Sequence, residues 1–163
     1  STKFYNDVGD AKAFAEVRLH FQDVFAIVKS HQGVVVKTIG DAVMAAFQSP
    51  TEAISASIEI QKLFHENRSD SPIRLRISVH CGPVIAVHLN TGIDYFGNTV
   101  NYAAKIQAVA RSCEVALSRE VYEIYKKNFE QEFEFDIRQN QRDGGVPGDI
   151  YVLRVRPAGV EAA

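Results

Sequence analysis

The sequence has no excess of positive charge and no long apolar run. Its 18 basic residues are outnumbered by 20 acidic ones, which gives a net charge of -2 and argues against binding to DNA, RNA or an anionic membrane. No stretch approaches the ~20 apolar residues of a transmembrane helix. The opening STKFYNDVGD lacks the apolar core of a secretion signal. We therefore expect a cytoplasmic protein with no membrane segment in this chain.

Several chemical motifs are also missing. The two cysteines, Cys81 and Cys113, are expected to be reduced in a cytosolic protein. His80 and His88 lack the tight ligand spacing of a zinc site, so we interpret them as ordinary strand residues. The absence of a glycine-rich loop ending in Lys-Ser/Thr excludes a P-loop NTPase. The absence of a nucleophile elbow leaves serine hydrolase chemistry without support.

The composition is that of a globular protein. Of the 163 residues, 46% are hydrophobic and 23% are charged, and a chain of this length can bury a core without metals or disulfides. No Pro/Gly/Ser-rich linker or internal repeat divides the chain. We expect one domain over residues 1–163.

Apolar spacing predicts the elements of the first half. Residues 11–31 are predicted to form a helix that ends at Gly33. Residues 34–47 are predicted to form two strands joined by a type II′ turn at Gly40 and Asp41. A helix is expected over residues 50–67, because Pro50 suits the first turn of a helix.

The second half is predicted to continue with alternating strands and helices. Residues 73–79 alternate apolar and polar side chains, as a strand does, and Gly82-Pro83 is interpreted as the turn of a second hairpin. A polar loop over 90–96 should precede a helix over 97–111. The remaining segments are a strand over 113–117, a helix over 118–129 capped by Ser118, and strands over 132–138 and 149–155. This order predicts an α+β fold with a mainly antiparallel sheet.

Two segments carry candidate chemistry. In the first, KTIGD, Asp41 at a turn is either a cation ligand or a solvated turn residue. In the second, DYFGNTVNYAAK, Asn101 and Lys105 are four residues apart on the predicted helix, so their side chains share one face. Asn101 either takes part in catalysis or satisfies the backbone of a loop. These residues alone leave both pairs of alternatives open.

Together these segments resemble the catalytic domain of class III nucleotide cyclases, the adenylate and guanylate cyclases. VVKTIGDAVMAAF resembles the metal-binding hairpin of that family, and RISVHCGPVIAVHLNTGIDYFGNTVNYAAKIQ resembles its strand, dimerisation arm and catalytic helix. The resemblance covers nearly the whole chain. It implies an α+β fold with a ferredoxin-like β-α-β core and a mainly antiparallel sheet flanked by helices.

The resemblance also implies a reaction and its cofactors. The 3′-hydroxyl of ATP would attack its own α-phosphate to give 3′,5′-cyclic AMP and pyrophosphate, assisted by two divalent cations, Mg²⁺ or Mn²⁺. By position, Asp41 resembles a metal-binding aspartate and Asn101 resembles the residue that orients the ribose. Lys105 stands where the family has an arginine that stabilises the transition state, and lysine lacks the planar two-pronged donor of arginine.

Lys37 and Asp94 match the base-reading pair of the family. Adenine offers an acceptor at N1 and a donor at N6, whereas guanine reverses both. An ammonium only donates and a carboxylate only accepts, so this pair favours adenine. Each residue also has a structural alternative: Lys37 as a strand residue facing water, and Asp94 as a cap of the following helix.

The resemblance further implies assembly and missing parts. Such cyclases work as head-to-tail homodimers, in which Asp41 of one protomer and Lys37, Asp94, Asn101 and Lys105 of the other would form each site. The first metal aspartate and the first strand of the family would lie upstream of Ser1, so we expect the domain to be incomplete at its N-terminus. We also expect attached regulatory domains. The alternatives are a catalytically silent dimerisation module, a guanylate cyclase, and a ferredoxin-like binder of small ligands.

Overall fold

Four helices and eight strands form the part of the chain that the structure describes. The structure is a computed structural model, and it describes residues 10–66, 73–130, 133–139 and 148–155. In chain order the elements are α1 (Asp10–Ser30), β1 (Val34–Ile39), β2 (Ala42–Ala46), α2 (Pro50–Glu66), β3 (Arg76–Val79), β4 (Ile85–Leu89), β5 (Gly92–Phe96), α3 (Asn98–Gln107), β6 (Glu114–Leu117), α4 (Arg119–Asn128), β7 (Phe135–Arg138) and β8 (Ile150–Arg154).

The strands form one four-stranded sheet and two hairpins. The sheet has the order β3-β6-β8-β7, and the hairpins are β1-β2 and β4-β5. Only the β3-β6 pair is parallel among the pairings of the described residues. This arrangement confirms the predicted α+β class and its mainly antiparallel character. No helix among the described residues has both the length and the apolar character needed to cross a membrane.

Helices cover both faces of the four-stranded sheet. Alternate residues of β6 point to opposite faces, so Val115 and Leu117 join Ile54 of α2 and Val121 of α4 in one core. Ala116 joins a second core with Ile106 of α3 on the other face. Because the sheet is covered on both sides, all four residues of β6 are buried.

The end of α1 is tied to the first hairpin. Gln32 takes the left-handed conformation with φ of 58°, and the Gly33 amide donates to Val28 O at 2.8 Å, as in a Schellman motif. Gly33 therefore ends the helix region as predicted, but it is not the residue with positive φ. Glycine is needed there for another reason: a Cβ at Gly33 would lie 2.4 Å from Cε1 of Phe47.

His31 links the end of α1 to α2. Its ring nitrogens lie 2.9 Å from Glu52 Oε2 and 2.7 Å from Glu59 Oε2, so the protonated ring donates to both carboxylates. Burial lowers the pKa of His31, but the hydrogen bonds to Glu59 and Glu52 outweigh it and hold the pKa above the ordinary 6.5. The contact is therefore an ion pair whose strength depends on pH.

Glu114 forms a buried ionic cluster with two arginines. Its side chain is 2% exposed and accepts hydrogen bonds from Arg138 Nη1 at 2.6 Å and Nη2 at 2.9 Å, from Arg154 Nη2 at 3.2 Å and from the Arg111 amide at 2.7 Å. Burial would raise the pKa of Glu114, but these hydrogen bonds prevail and lower it to about 2. The cluster joins β6, β7 and β8.

Two predictions about the middle of the chain were wrong. Gly82-Pro83 is not a hairpin turn, because β3 pairs with β6 whereas β4 pairs with β5. Residues 90–96 are not simply a polar loop, since residues 92–96 are β5. The hairpin turns instead at residues 90 and 91. All five residues of β4 are exposed.

The ends of other predicted elements shift by a few residues. The predicted strand over 113–117 begins at Glu114, because Cys113 has a φ of 67° that does not suit a strand. The predicted helix over 97–111 ends at Gln107. Ser118 is the N-cap of α4, as predicted, although its side chain makes no capping hydrogen bond. Cys81 and Cys113 are both free, and burial raises the pKa of each thiol.

Candidate functional site

Asp41 lies at the tip of the β1-β2 hairpin. Gly40 has a φ of 61°, whereas Asp41 has a negative φ, since it is not among the described non-glycine residues with positive φ. A type II′ turn has positive φ at its first central residue and negative φ at its second, so this backbone has the pattern of the predicted turn. Within the described residues the exposed Asp41 carboxylate has no hydrogen-bond or ion-pair partner. It is therefore available as one oxygen ligand for a hard cation.

A bulge in β1 determines where Lys37 points. Val35 pairs with Ala45 and Lys37 pairs with the next partner residue, Met44, so Val36 is an extra residue. Val35 and Ala45 pack against the core formed by α1 and α2. Lys37 pairs with Met44, which is adjacent to Ala45 on β2. Its side chain therefore lies on the face opposite to that of Val35 and Ala45. Without the bulge, Lys37 would share the face of Val35 and point at that core.

Lys37 forms an ion pair with Asp94, 57 residues away in the sequence. Lys37 Nζ lies 2.6 Å from Asp94 Oδ2, and the Asp94 side chain is only 13% exposed. The hydrogen bond from Lys37 lowers the pKa of the Asp94 carboxyl; burial opposes this, and the Tyr95 amide, which donates to Oδ1 at 2.8 Å, lowers the pKa further. The pair is therefore a cation and an anion side by side. It connects the two hairpins.

Phe96 supports this pair from the same strand as Asp94. The two residues are two positions apart on β5, so they share a face, and Lys37 Nζ lies 5.6 Å from the centre of the Phe96 ring. This is within the range of a cation–π contact. Phe96 was not among the site residues predicted from the sequence, because nothing in the DYFG segment shows that its ring lies under the Lys37 ammonium.

Asn101 and Lys105 lie together on α3, as predicted from their spacing. Both are exposed and one helical turn apart. Within the described residues no hydrogen bond or ion pair joins Asp41 or Asn101 to the Lys37–Asp94 pair. Among the described residues, the chain thus brings Lys37 and Asp94 into contact, while Asp41 and Asn101 form separate positions.

His80 is a further group near α3. Its ring contacts that of Tyr102 at a tilt of 39°, with a centroid distance of 4.5 Å, and its Nδ1 lies 3.9 Å from Glu120 Oε2. Burial lowers the pKa of His80, against the opposing charge of Glu120, so the neutral ring predominates at neutral pH. His80 is therefore a packing partner of α3.

Comparison with known proteins identifies the family of this fold. The family model described as "Adenylate and Guanylate cyclase catalytic domain" matches residues 1–152. The chain is 34% identical over 101 residues to putative adenylate cyclase 3 of Rhizobium meliloti (60% of this chain, 16% of that protein). It is 28% identical over 148 residues to soluble guanylate cyclase gcy-35 of Caenorhabditis elegans (67% of this chain, 22% of that protein).

A solved structure shows the same fold. The catalytic core of a rhodopsin-guanylyl cyclase with converted specificity, in complex with ATPαS, aligns with a TM-score of 0.78 at 20% identity, over 93% of this chain and 88% of that chain. The chain spans less than a quarter of the length of the two curated relatives described above. The family model, which matches most of the chain, and the shared fold together show that the protein belongs to the family of adenylate and guanylate cyclase catalytic domains.

Proposed function

We propose that this domain is an adenylate cyclase that converts ATP into 3′,5′-cyclic AMP and pyrophosphate. Relatives of both activities match the chain, so the choice between adenine and guanine depends on the residues of the site. The observation that carries the proposal is the contact of 2.6 Å between Lys37 Nζ and Asp94 Oδ2. It supports a role for both residues in reading one base.

The chemistry of this pair suits adenine. Adenine N1 accepts a hydrogen bond and its N6 amino group donates one. An ammonium has three donors and a carboxylate has several lone pairs, so Lys37 and Asp94 each keep capacity for the base while they remain paired. Guanine would present a donor to the ammonium and an acceptor to the carboxylate, which costs binding free energy through unpaired polar groups.

The remaining residues are assigned to the sugar, phosphates and cations. Asn101 orients the ribose, and Lys105 stabilises negative charge that builds on the α-phosphate. The 3′-oxygen forms a bond to the α-phosphorus as it loses its proton, and the bond from that phosphorus to the pyrophosphate oxygen breaks. The family uses divalent cations, which activate the hydroxyl and neutralise the phosphates. Asp41 offers one carboxylate for Mg²⁺ or Mn²⁺.

We further propose that a second copy of the chain completes each site. The β4-β5 hairpin carries exposed apolar side chains, including Ile85 at 65% and Ile93 at 50%, and such patches mark interaction surfaces. In a head-to-tail homodimer, Asp41 of one protomer would serve the site that contains Lys37 and Asp94 of the other. Sedimentation of the full-length protein tests whether it forms a dimer, and a monomer at high concentration would contradict the proposed dimer.

Attached regulatory domains and a cytoplasmic location remain parts of the proposal.

The test of the activity is an assay of the full-length protein that contains this chain. We expect cyclic AMP from ATP in the presence of Mg²⁺ or Mn²⁺, with little cyclic GMP from GTP. Preferential use of GTP would replace the proposal with a guanylate cyclase. No product from either nucleotide with either metal would favour the second candidate, a catalytically silent dimerisation module, which the lysine at position 105 favours.

A reversed pair tests the base-reading role directly. Lys37→Glu combined with Asp94→Lys keeps one cation and one anion but reverses donor and acceptor. We expect the ratio of kcat/KM for ATP to that for GTP to fall by 100-fold or more, since sites that depend on hydrogen bonds can discriminate by roughly 10⁴. Lys37→Met is the matched control, which should weaken ATP use without improving GTP use. An unchanged ratio in the reversed pair would contradict the assignment.

A further inference from the structure

One face of α3 is tied to β3 and to the loop that follows it by side-chain hydrogen bonds. Three such bonds join the two segments: Thr99 Oγ1 donates to Pro83 O at 2.6 Å, Ser78 Oγ donates to Ala103 O at 2.8 Å, and Gln107 Nε2 donates to Arg76 O at 3.2 Å. The residues of α3 that form these bonds are Thr99, Ala103 and Gln107. Because they are four positions apart, they form one stripe along the helix.

The opposite face of α3 carries the residues proposed for the reaction. Asn101 is two positions after Thr99, and Lys105 is two positions after Ala103. A step of two residues turns an α-helix by about 200°, so Asn101 and Lys105 point away from the stripe. Both are exposed, whereas Ile106 on the anchored side is fully buried. Any rotation or shift of α3 on β3 therefore moves both Asn101 and Lys105.

The Thr99 bond depends on a glycine at position 82. A Cβ at Gly82 would lie 2.8 Å from Thr99 Oγ1 and 3.3 Å from its Cγ2. The first distance is shorter than real contacts of this kind, so any larger residue would push Thr99 away from Pro83 O. Gly82 and Thr99 thus form a matched pair that brings the start of α3 against the loop after β3.

We propose that Thr99 and Gly82 are positioning residues for the cyclase reaction, which set the place of Asn101 and Lys105 by anchoring the first turn of α3. Neither touches the substrate in this proposal. The inference rests on the proposed function. It predicts that loss of the Thr99 hydroxyl lowers kcat more than it raises KM, because the base-reading pair Lys37–Asp94 lies on other elements and stays intact.

The first test compares Thr99→Val with Thr99→Ser in the full-length protein. Valine keeps the shape without the hydroxyl, and serine keeps the hydroxyl. We expect kcat to fall about 10- to 100-fold for valine, since a misplacement near 1 Å can cost 10²-fold, with KM for ATP changed less than threefold. Serine should restore most of the loss. Ser30→Ala is the matched control: it removes a similar bond to Ile27 O, at 2.8 Å, on α1, and should leave kcat unchanged.

The second test is a double-mutant cycle between the two positions. Gly82→Ala should lower kcat at least as much as Thr99→Val, because the added methyl group displaces Thr99. Thr99→Ala removes the atoms that clash, so Gly82→Ala combined with Thr99→Ala should be no worse than Thr99→Ala alone. Additive losses in the double variant would contradict the pairing. Melting temperatures of all variants reveal any that fail to fold.

Hydrogen exchange separates this inference from the proposed function. Thr99→Val should speed amide exchange at the start of α3 while leaving α1 and α4 unchanged, whether or not the protein makes cyclic AMP. Unchanged exchange in α3, or unchanged kcat in an active protein, would overturn the inference. An inactive parent protein would overturn the proposed function, and with it the catalytic part of the inference.

Discussion

Neutralising Glu114 should destabilise the fold by an amount that depends on pH. The buried carboxylate accepts hydrogen bonds from two arginines and one amide, and its pKa falls from the ordinary 4.5 to about 2. A difference of that size corresponds to about 3 kcal/mol of stability at pH 7, at 1.36 kcal/mol per pKa unit. Glu114→Gln keeps the shape but has no charge at any pH. We therefore expect the variant to lose about 3 kcal/mol at pH 7.

The sign of the pH dependence follows from the lowered pKa. The ionised carboxylate stabilises the fold fully above the unfolded pKa near 4.5, and this contribution is lost as the pH falls through the folded pKa of about 2. The difference between parent and variant should therefore shrink from about 3 kcal/mol at pH 7 to roughly 1.5 kcal/mol at pH 3. The carboxamide of the variant does not titrate, so the whole change comes from the parent.

Urea unfolding followed by circular dichroism measures this difference, since the chain has no tryptophan for fluorescence. With a slope of 1–3 kcal/mol per molar urea, the midpoint should shift by about 1–3 M at pH 7. Glu123→Gln is the matched control, because Glu123 pairs with Lys126 at 2.9 Å on the surface and should cost under about 1 kcal/mol. A difference that stays constant between pH 7 and pH 3 would refute the reasoning.

Three further predictions concern the site and the α1–α2 contact. Asp41→Ala should abolish metal-dependent turnover while changing the unfolding free energy by under about 1 kcal/mol, and a variant that unfolds would show a structural role instead. Lys105→Ala should lower kcat about 10²- to 10³-fold, whereas Lys105→Arg should maintain or raise it; equal activity of parent and alanine variant would exclude a catalytic role. His31→Gln should lower the melting temperature most below pH 6.5 and progressively less as the pH rises through the raised pKa of His31; a loss that grows with pH would contradict the ion pair.

The sequence predicted elements whose signals are local. The turn at Gly40 and Asp41 follows from two adjacent residues, and the alternation over 73–79 predicts a strand, although β3 begins only at Arg76. The β4-β5 hairpin was missed because its apolar side chains, such as Ile85 and Ile93, are exposed, so their pattern does not indicate a pairing partner. Gly82-Pro83 resembles a turn in sequence, but the pairing partner of β3 is β6, more than 30 residues later along the chain.

Candidate site residues were predicted by resemblance, and the shared face of Asn101 and Lys105 follows from their spacing, but the strand geometry that positions Lys37 was not predicted. Simple alternation along β1 places Lys37 on the same face as Val35, and only the bulge, which depends on pairing with β2, reverses it. The Glu114 cluster was also missed, since its arginines are 24 and 40 positions away. Contacts over such distances depend on the tertiary fold and leave no local pattern.

The two faces of α3 allow the chemistry of this domain to diverge without loss of its fold. The helix is held through Thr99, Ala103 and Gln107, and its core contact is Ile106. Positions on the exposed face can therefore change at a cost typical of surface substitutions, within about 0.5 kcal/mol. Mutations that change side chains on the exposed face therefore leave the fold intact. Mutations on the anchored face destabilise the fold and are removed by selection. Lys105 lies on this exposed face, so its side chain can change without opening the core.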